Sequence, residues 1–225
     1  KPAAATTISA AALATLLLFT AEACAQISQL DVGLTSQREV IRAFSITAES
    51  ETAPSVLVIA GLDGPSPITE QLLSLAEHYS QRDAAGRGVN LLVIPIANPD
   101  ADILVFPPTG EAYQENSVSH ALWRWTGVHA PDIIVIMGDD SAGFAEAASN
   151  LAVAGFGSIP VQTFAEISAL TSQLLEFSEL RYSAAHREVE RRLARSPSEL
   201  AEQLAGIYGR EFSTPAYVPG MGLIG

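Results

Sequence analysis

Residues 55–64, SVLVIAGLDG, and residues 91–100, LLVIPIANPD, decide the fold of this 225-residue chain. Each stretch contains a run of four or five consecutive aliphatic residues and ends in a short polar turn. Because successive side chains of a strand point to opposite faces, such runs predict strands that are covered on both faces, which is typical of a parallel sheet. Ligands of such sheets gather outside the carboxyl ends of the strands. The turns place Asp63, Asn98 and Asp100 at that edge.

The flanking sequence predicts an α/β domain of three layers, a mostly parallel sheet with helices on both faces. The predicted strands are an edge strand at 39–47, then 56–60, 91–96, 132–137 and a short strand before residue 164. The predicted helices are 68–82, 111–127, 143–154 and 164–177. From Arg181 the sequence becomes charged and helical, which predicts a C-terminal helical extension. Within it, Ser196-Pro197-Ser198-Glu199 has the pattern of a capping box.

Three turn sequences resemble a known family. They are GLDGPS at 61–66, NPDA at 98–101 and the segment PDIIVIMG at 131–138. In this order they resemble the M14-type zinc carboxypeptidases and their succinylglutamate desuccinylase and aspartoacylase relatives. The resemblance covers about residues 55–138, and it implies a carboxypeptidase-like frame in which the Asn-Pro-Asp turn is structural.

The residues that hold zinc in that family are changed here. Asp63 stands where the family has a His, Ser66 where it has a Glu, and no His follows the strand that ends at Met137. The Arg and Asn-Arg segments that grip substrate in the family are missing from residues 101–109. The resemblance therefore implies a domain without zinc and without peptidase activity, a binding or accessory module for a small molecule or peptide. An active metallocarboxypeptidase or amidohydrolase is the alternative.

Six polar residues at the predicted carboxyl edge are the candidate binding residues: Asp63, Ser66, Asn98, Asp100, Asp139 and Asp140. If the four aspartates converge, their oxygens would suit calcium or magnesium better than zinc. The alternative is turn chemistry, since Asp and Asn often bond to nearby backbone in tight turns and at helix starts. No residue is predicted as a metal ligand.

A second hydrolase hypothesis rests on Ser141 in GDDSAG, residues 138–143. This turn resembles the Gly-Asp-Ser-Ala-Gly nucleophile elbow of hormone-sensitive-lipase-like esterases. One extra Asp changes the spacing, and the only downstream His is His186, in a charged helix. The competing interpretation makes Ser141 the N-cap of the following helix.

Charge excludes two classes of partner. The formal net charge is −13, and binding to a phosphate backbone or an anionic membrane surface needs Lys and Arg in excess. We therefore predict neither nucleic acid nor membrane as a partner. The basic stretch at 186–195 is interleaved with Glu and is interpreted as a solvated helix face.

The first 25 residues are interpreted as a signal peptide. An apolar run at 8–19 is followed by Ala23-Cys24-Ala25, which is typical of a cleavage site before Gln26. The mature protein would then be exported, periplasmic or extracellular, and free of cysteine. The expected organisation is a leader at 1–25, a carboxypeptidase-like domain at 26–180, and an extension at 181–225 that leads to a further C-terminal domain.

Overall fold

The computed structural model describes residues 27–112 and 114–208. In this part of the chain, the strands are β1 (Ser28–Leu34), β2 (Val40–Ile46), β3 (Ser55–Ala60), β4 (Asn90–Ile94), β5 (Ile133–Met137) and β6 (Val161–Phe164). The helices are α1 (Ile68–Ser80), α2 (Ser117–His129), α3 (Phe144–Asn150), α4 (Ile167–Gln173), α5 (Ala184–Leu193) and α6 (Pro197–Tyr208). The predicted leader and the last seventeen residues of the predicted extension, 209–225, lie outside the described residues.

The strands form one mixed sheet in the order β1-β2-β4-β3-β5-β6. The four strands β4, β3, β5 and β6 are parallel, while the β1–β2 hairpin adds antiparallel pairs at one side. The predicted runs form β3, β4 and β5, and every residue of β5 is buried. The predicted α/β class, with a mostly parallel sheet, is confirmed.

Alternation along the strands divides the core into two layers, one on each face of the sheet. On one face, Leu57 and Ile134 pack in a cluster with residues of α2, α3 and α5. On the other face, Val58 and Val135 pack in a cluster with residues of α1 and α4. The predicted three layers, with helices on both faces, follow from this division.

Four element predictions need correction. The strand predicted at an edge is β2, which lies inside the sheet between β1 and β4. The helix predicted from residue 111 begins at Ser117, because Asn116 has a left-handed φ of 48° that stops the helix from extending backward. The helix predicted at 143–154 is the shorter α3. The helix predicted from residue 164 is α4, which begins at Ile167, because Phe164 is the last residue of β6 and pairs with Met137.

The C-terminal helices differ in how they contact the sheet domain. In α5, Ala185 is fully buried in the core cluster that contains α2 and α3. In α6, the described side chains are exposed. The capping box is confirmed: Glu199 N–H donates to Ser196 Oγ at 3.2 Å, and Ser196 N–H donates to Glu199 Oε2 at 2.7 Å. Among the described residues, no helix has the length and apolar character needed to cross a bilayer.

Candidate functional site

Two turns meet at the carboxyl edge of the sheet, one after β3 and one after β5. The hydroxyl of Ser141 donates to Asp63 Oδ1 at 2.6 Å, and both residues are exposed. A hydrogen bond to a carboxylate is stronger than one between neutral groups. We call Asp63 and Ser141 the edge pair; it joins two residues that lie 78 positions apart in the sequence.

Glycine fixes the turn that carries Asp63. Gly61 has a φ of +67°, and Gly64 N–H donates to its carbonyl at 3.3 Å. A Cβ at position 61 would lie 2.9 Å from the Gly64 oxygen and 3.2 Å from the Cα of Ile96. Glycine alone satisfies both the left-handed φ and the close approach of these backbones.

The predicted N-cap role of Ser141 is wrong, because Asp140 performs it. The Asp140 carboxylate accepts the N–H of Phe144 at 2.9 Å and the N–H of Ala145 at 2.8 Å, at the start of α3. A negative side chain at this position also complements the helix dipole. Asp139 accepts the Asp140 N–H at 2.9 Å. These two aspartates therefore do the turn chemistry that was the alternative to ligand binding, and their role in binding stays a prediction.

The Asn-Pro-Asp turn after β4 forms hydrogen bonds to the turn after β3 and to the turn between β1 and β2. Asn98 is fully buried; its amide donates to Leu62 O and to Asp102 O, both at 2.8 Å. Asp100 Oδ2 accepts the Gln37 N–H at 3.2 Å and the Ser36 hydroxyl at 3.3 Å. Asp100 thus anchors the turn between β1 and β2.

Sequence reasoning did not single out Ser36 or Asp102, although the Ser36 hydroxyl also contacts Asp102 Oδ2 at 2.8 Å. Their positions are 66 apart, and no sequence pattern links them. Ser66, the remaining predicted residue, is half-buried, and its carbonyl accepts the Thr69 N–H at 3.1 Å in the first turn of α1.

The positions that the resemblance assigns to zinc hold one carboxylate, one hydroxyl and a turn. A catalytic zinc site needs three strong N, O or S ligands and an open fourth position. Here the positions hold Asp63, which binds Ser141, then Ser66, and the turn that follows the buried Met137. Within 27–112 and 114–208, no group of three or more His, Cys, Asp or Glu side chains is arranged to hold a metal ion.

A second polar cluster lies at the opposite, amino edge of the sheet. Asp132, 1% exposed, accepts the Ser55 N–H at 2.8 Å, the Ser183 N–H at 2.9 Å and His186 Nδ1 at 2.9 Å. Because a carboxylate oxygen only accepts, Nδ1 carries the proton in this contact. We call Asp132, Ser183 and His186 the amino-edge cluster. The interpretation of the 186–195 stretch as a solvated face is therefore wrong for His186.

His186, in the amino-edge cluster, and Ser141 lie at opposite edges of the sheet. Asp132 precedes β5 and Ser141 follows it, and the five residues of β5 span about 16 Å at roughly 3.3 Å per residue. A general base must come within hydrogen-bond reach of the hydroxyl that it activates. His186 therefore cannot serve Ser141 as its base in this arrangement.

No protein-family model matches this chain, and no curated protein matches it. Solved structures give matches over about half of the chain. They include a metallo-carboxypeptidase from Burkholderia cenocepacia, at 13% identity and a TM-score of 0.40, with 58% of this chain and 40% of that chain covered. A metallo-carboxypeptidase from Pseudomonas aeruginosa matches at 15% identity and a TM-score of 0.40, over 51% of this chain and 35% of that one.

An aspartoacylase family protein from Mesorhizobium loti matches at 17% identity and a TM-score of 0.34, over 51% of this chain and 34% of that one. The chain thus spans less than half the length of these three structures. They belong to the group that the turn sequences resemble. At these identities and TM-scores, no activity, ligand or metal is carried over to this chain.

Proposed function

We propose that this chain is a carboxypeptidase-like domain without peptidase activity, which acts as a binding or accessory module of an exported protein. The observation that supports the proposal is the edge pair. Where the family holds its first zinc ligand, Asp63 instead accepts the Ser141 hydroxyl at 2.6 Å. A carboxylate with a hydroxyl partner, beside Ser66 and a Met-Gly turn, does not supply the ligands that lower the pKa of a zinc-bound water.

Zinc content and peptidase assays test the loss of activity. Protein purified from zinc-supplemented cells and then dialysed should contain well under one equivalent of zinc by elemental analysis. It should release no C-terminal residue from peptides. Asp63→Ala should leave both results unchanged, as should the control Asp139→Ala in the neighbouring turn. Stoichiometric zinc that Asp63→Ala removes and Asp139→Ala retains would contradict the proposal.

A serine hydrolase is the second candidate, and the edge pair is the observation that favours it. The Asp63 carboxylate lies where it could accept the proton of the Ser141 hydroxyl. A serine nucleophile is normally activated by an adjacent base such as His, and His186 lies at the opposite edge of the sheet. We therefore expect no labelling of Ser141 by a fluorophosphonate probe. Labelling that Ser141→Ala abolishes, and that the control Ser66→Ala preserves, would favour the hydrolase.

Export is part of the proposal and rests on the leader sequence at 1–25. After expression with its leader in a bacterial host, the periplasmic protein should have the mass of a chain that begins at Gln26. A lipid-modified product that begins at Cys24 would contradict a soluble exported form.

A further inference from the structure

A cavity of about 570 Å³ lies between the β1–β2 turn and α2, and neither residue of the edge pair lines it. We call it the hairpin cavity; the lining residues that matter here are Leu34, Arg38, Pro108, His120, Trp123 and Arg124. Its volume is in the range of small-molecule sites, about 300–1,000 Å³. The turn that forms one wall is held in place by the hydrogen bonds from Ser36 and Gln37 to Asp100.

Two arginines are among the residues that line the cavity. Arg38, His120 and Arg124 line it, and no described residue that lines it is Asp or Glu. The chain as a whole carries a formal charge of −13. Three carboxylates contact lining residues from outside: Asp100 and Asp102 accept from Ser36, and Glu111 accepts from Gln114 at 2.7 Å. The cavity therefore has arginine among its lining side chains, on a protein that is acidic overall.

Arg38 is the side chain best placed to meet an anion. It is exposed and forms no ion pair with a described residue. Its φ of +67° is unusual for a residue with a Cβ, and it is maintained by a hydrogen bond from Arg38 N–H to Thr35 O at 3.0 Å. A left-handed residue is common at this position of a short hairpin loop, and here it fixes where Arg38 leaves the β1–β2 turn.

The remaining wall is apolar. Trp123 is 8% exposed, and its ring packs against Phe106 and Phe144 with centroids 6.1 Å away in each case. Leu34 is 53% exposed, although it is a large hydrophobic residue. A ligand that covers Leu34 and contacts Trp123 would gain from burying apolar surface.

We propose that the hairpin cavity binds a small organic anion, with a carboxylate or phosphate group on an apolar or aromatic body. The anionic group meets the guanidinium of Arg38, whose planar donors match either oxyanion in a two-point contact. The body lies against Trp123, Leu34 and Pro108. This site is separate from the edge pair, so the proposal holds whether or not Ser141 or a metal has a catalytic role.

Binding of four probes to the purified full chain tests the proposal at neutral pH. Phenyl phosphate and phenylacetate represent the two oxyanions on an aromatic body. Benzyl alcohol is the body without charge, and inorganic phosphate is the charge without a body. Calorimetry should show one site for at least one of the aromatic anions, with benzyl alcohol and inorganic phosphate at least tenfold weaker. The stronger of the two aromatic anions identifies the oxyanion class.

Matched variants locate the site. Arg38→Gln should weaken the aromatic anion about tenfold or more, and Arg38→Lys should weaken it less. Arg42→Gln is the control, because it removes the same charge four residues away, where Arg42 lies 3.8 Å from Asp31. Amide NMR shifts on binding should concentrate at residues 34–38 and 117–124.

Three results would overturn the proposal. The first is an equal loss of affinity in Arg38→Gln and Arg42→Gln. The second is benzyl alcohol binding as tightly as the aromatic anions. The third is that neither aromatic anion binds at concentrations up to about 10 mM. Circular dichroism of each variant confirms that it is folded. Because both arginines are exposed, we expect neither change to unfold the domain.

Discussion

Replacing Asp132 by Ala tests how α5 is attached to the sheet. The buried carboxylate accepts two backbone N–H groups, from Ser55 and Ser183, and the ring N–H of His186. A buried donor left without a partner costs about 1–3 kcal/mol. Two such donors give a loss of about 3 kcal/mol or more in the free energy of unfolding, a large part of the usual 5–15 kcal/mol.

Urea denaturation followed by circular dichroism measures this loss, and a thermal scan should show a fall in Tm of about 6–12 °C, from roughly 2–4 °C per kcal/mol. Asp132→Asn keeps one acceptor oxygen and should lose about half as much. The control Asp139→Ala removes an exposed carboxylate and should change stability by no more than about 0.5 kcal/mol. If Asp132→Ala were as stable as Asp139→Ala, the amino-edge cluster would not hold α5.

Three further predictions concern single residues. Gly61→Ala should lower the free energy of unfolding, measured by urea denaturation, by about 1–3 kcal/mol. The reason is that its Cβ would lie 2.9 Å from the Gly64 oxygen at a left-handed φ. The control Gly206→Ala, in the exposed α6, should be neutral or stabilising by up to about 1 kcal/mol. Partial burial of the ring, which stacks on Trp125 with centroids 3.7 Å apart, lowers the pKa of His129. The unfolded chain therefore binds the proton more readily, and the free energy of unfolding falls as the pH drops below about 6.5. His129→Gln should lose less stability than the wild type between about pH 7.5 and 5.5. Hydrogen bonds from two arginines of α5 lower the pKa of Glu188 to about 2. Its contribution to stability is therefore present above the usual pKa of about 4.3 and is lost as the pH falls toward 2. A carboxyl carbon NMR titration with an ordinary midpoint would refute these contacts.

The central strands were predictable because burial on both faces requires an uninterrupted aliphatic run. β1 was not, because only Val32 of its seven residues is buried and the sequence shows no apolar run. It forms a strand because it pairs with β2 along its length. The first residues of α2 were misplaced for a local reason, the left-handed backbone at Asn116.

For the candidate site, the positions of the residues were predictable from the sequence and their hydrogen-bond partners were not. Parallel strands place the turns after β3, β4 and β5 at one edge, so the location of Asp63, Asn98 and Asp140 followed from the sequence. The hydrogen-bond partners of the edge residues did not follow from the sequence. Asp63 contacts Ser141, and Asp100 contacts Ser36, only because of the order of the strands in the sheet. The hairpin cavity was missed because one of its walls is the end of β1 and the turn that follows it.

The position of the β1–β2 hairpin has a consequence for synthesis of the chain. Within the described residues the hairpin leaves the ribosome first, yet its pairing with the rest of the sheet joins Ile46 to Leu91, which is 91 − 46 = 45 residues later. At roughly 5–20 residues per second, that delay is about 2–9 s. An isolated two-stranded hairpin is marginally stable at best. For those seconds the apolar side chains of Ile41 and Ala43, fully buried in the finished domain, have no partner layer to cover them.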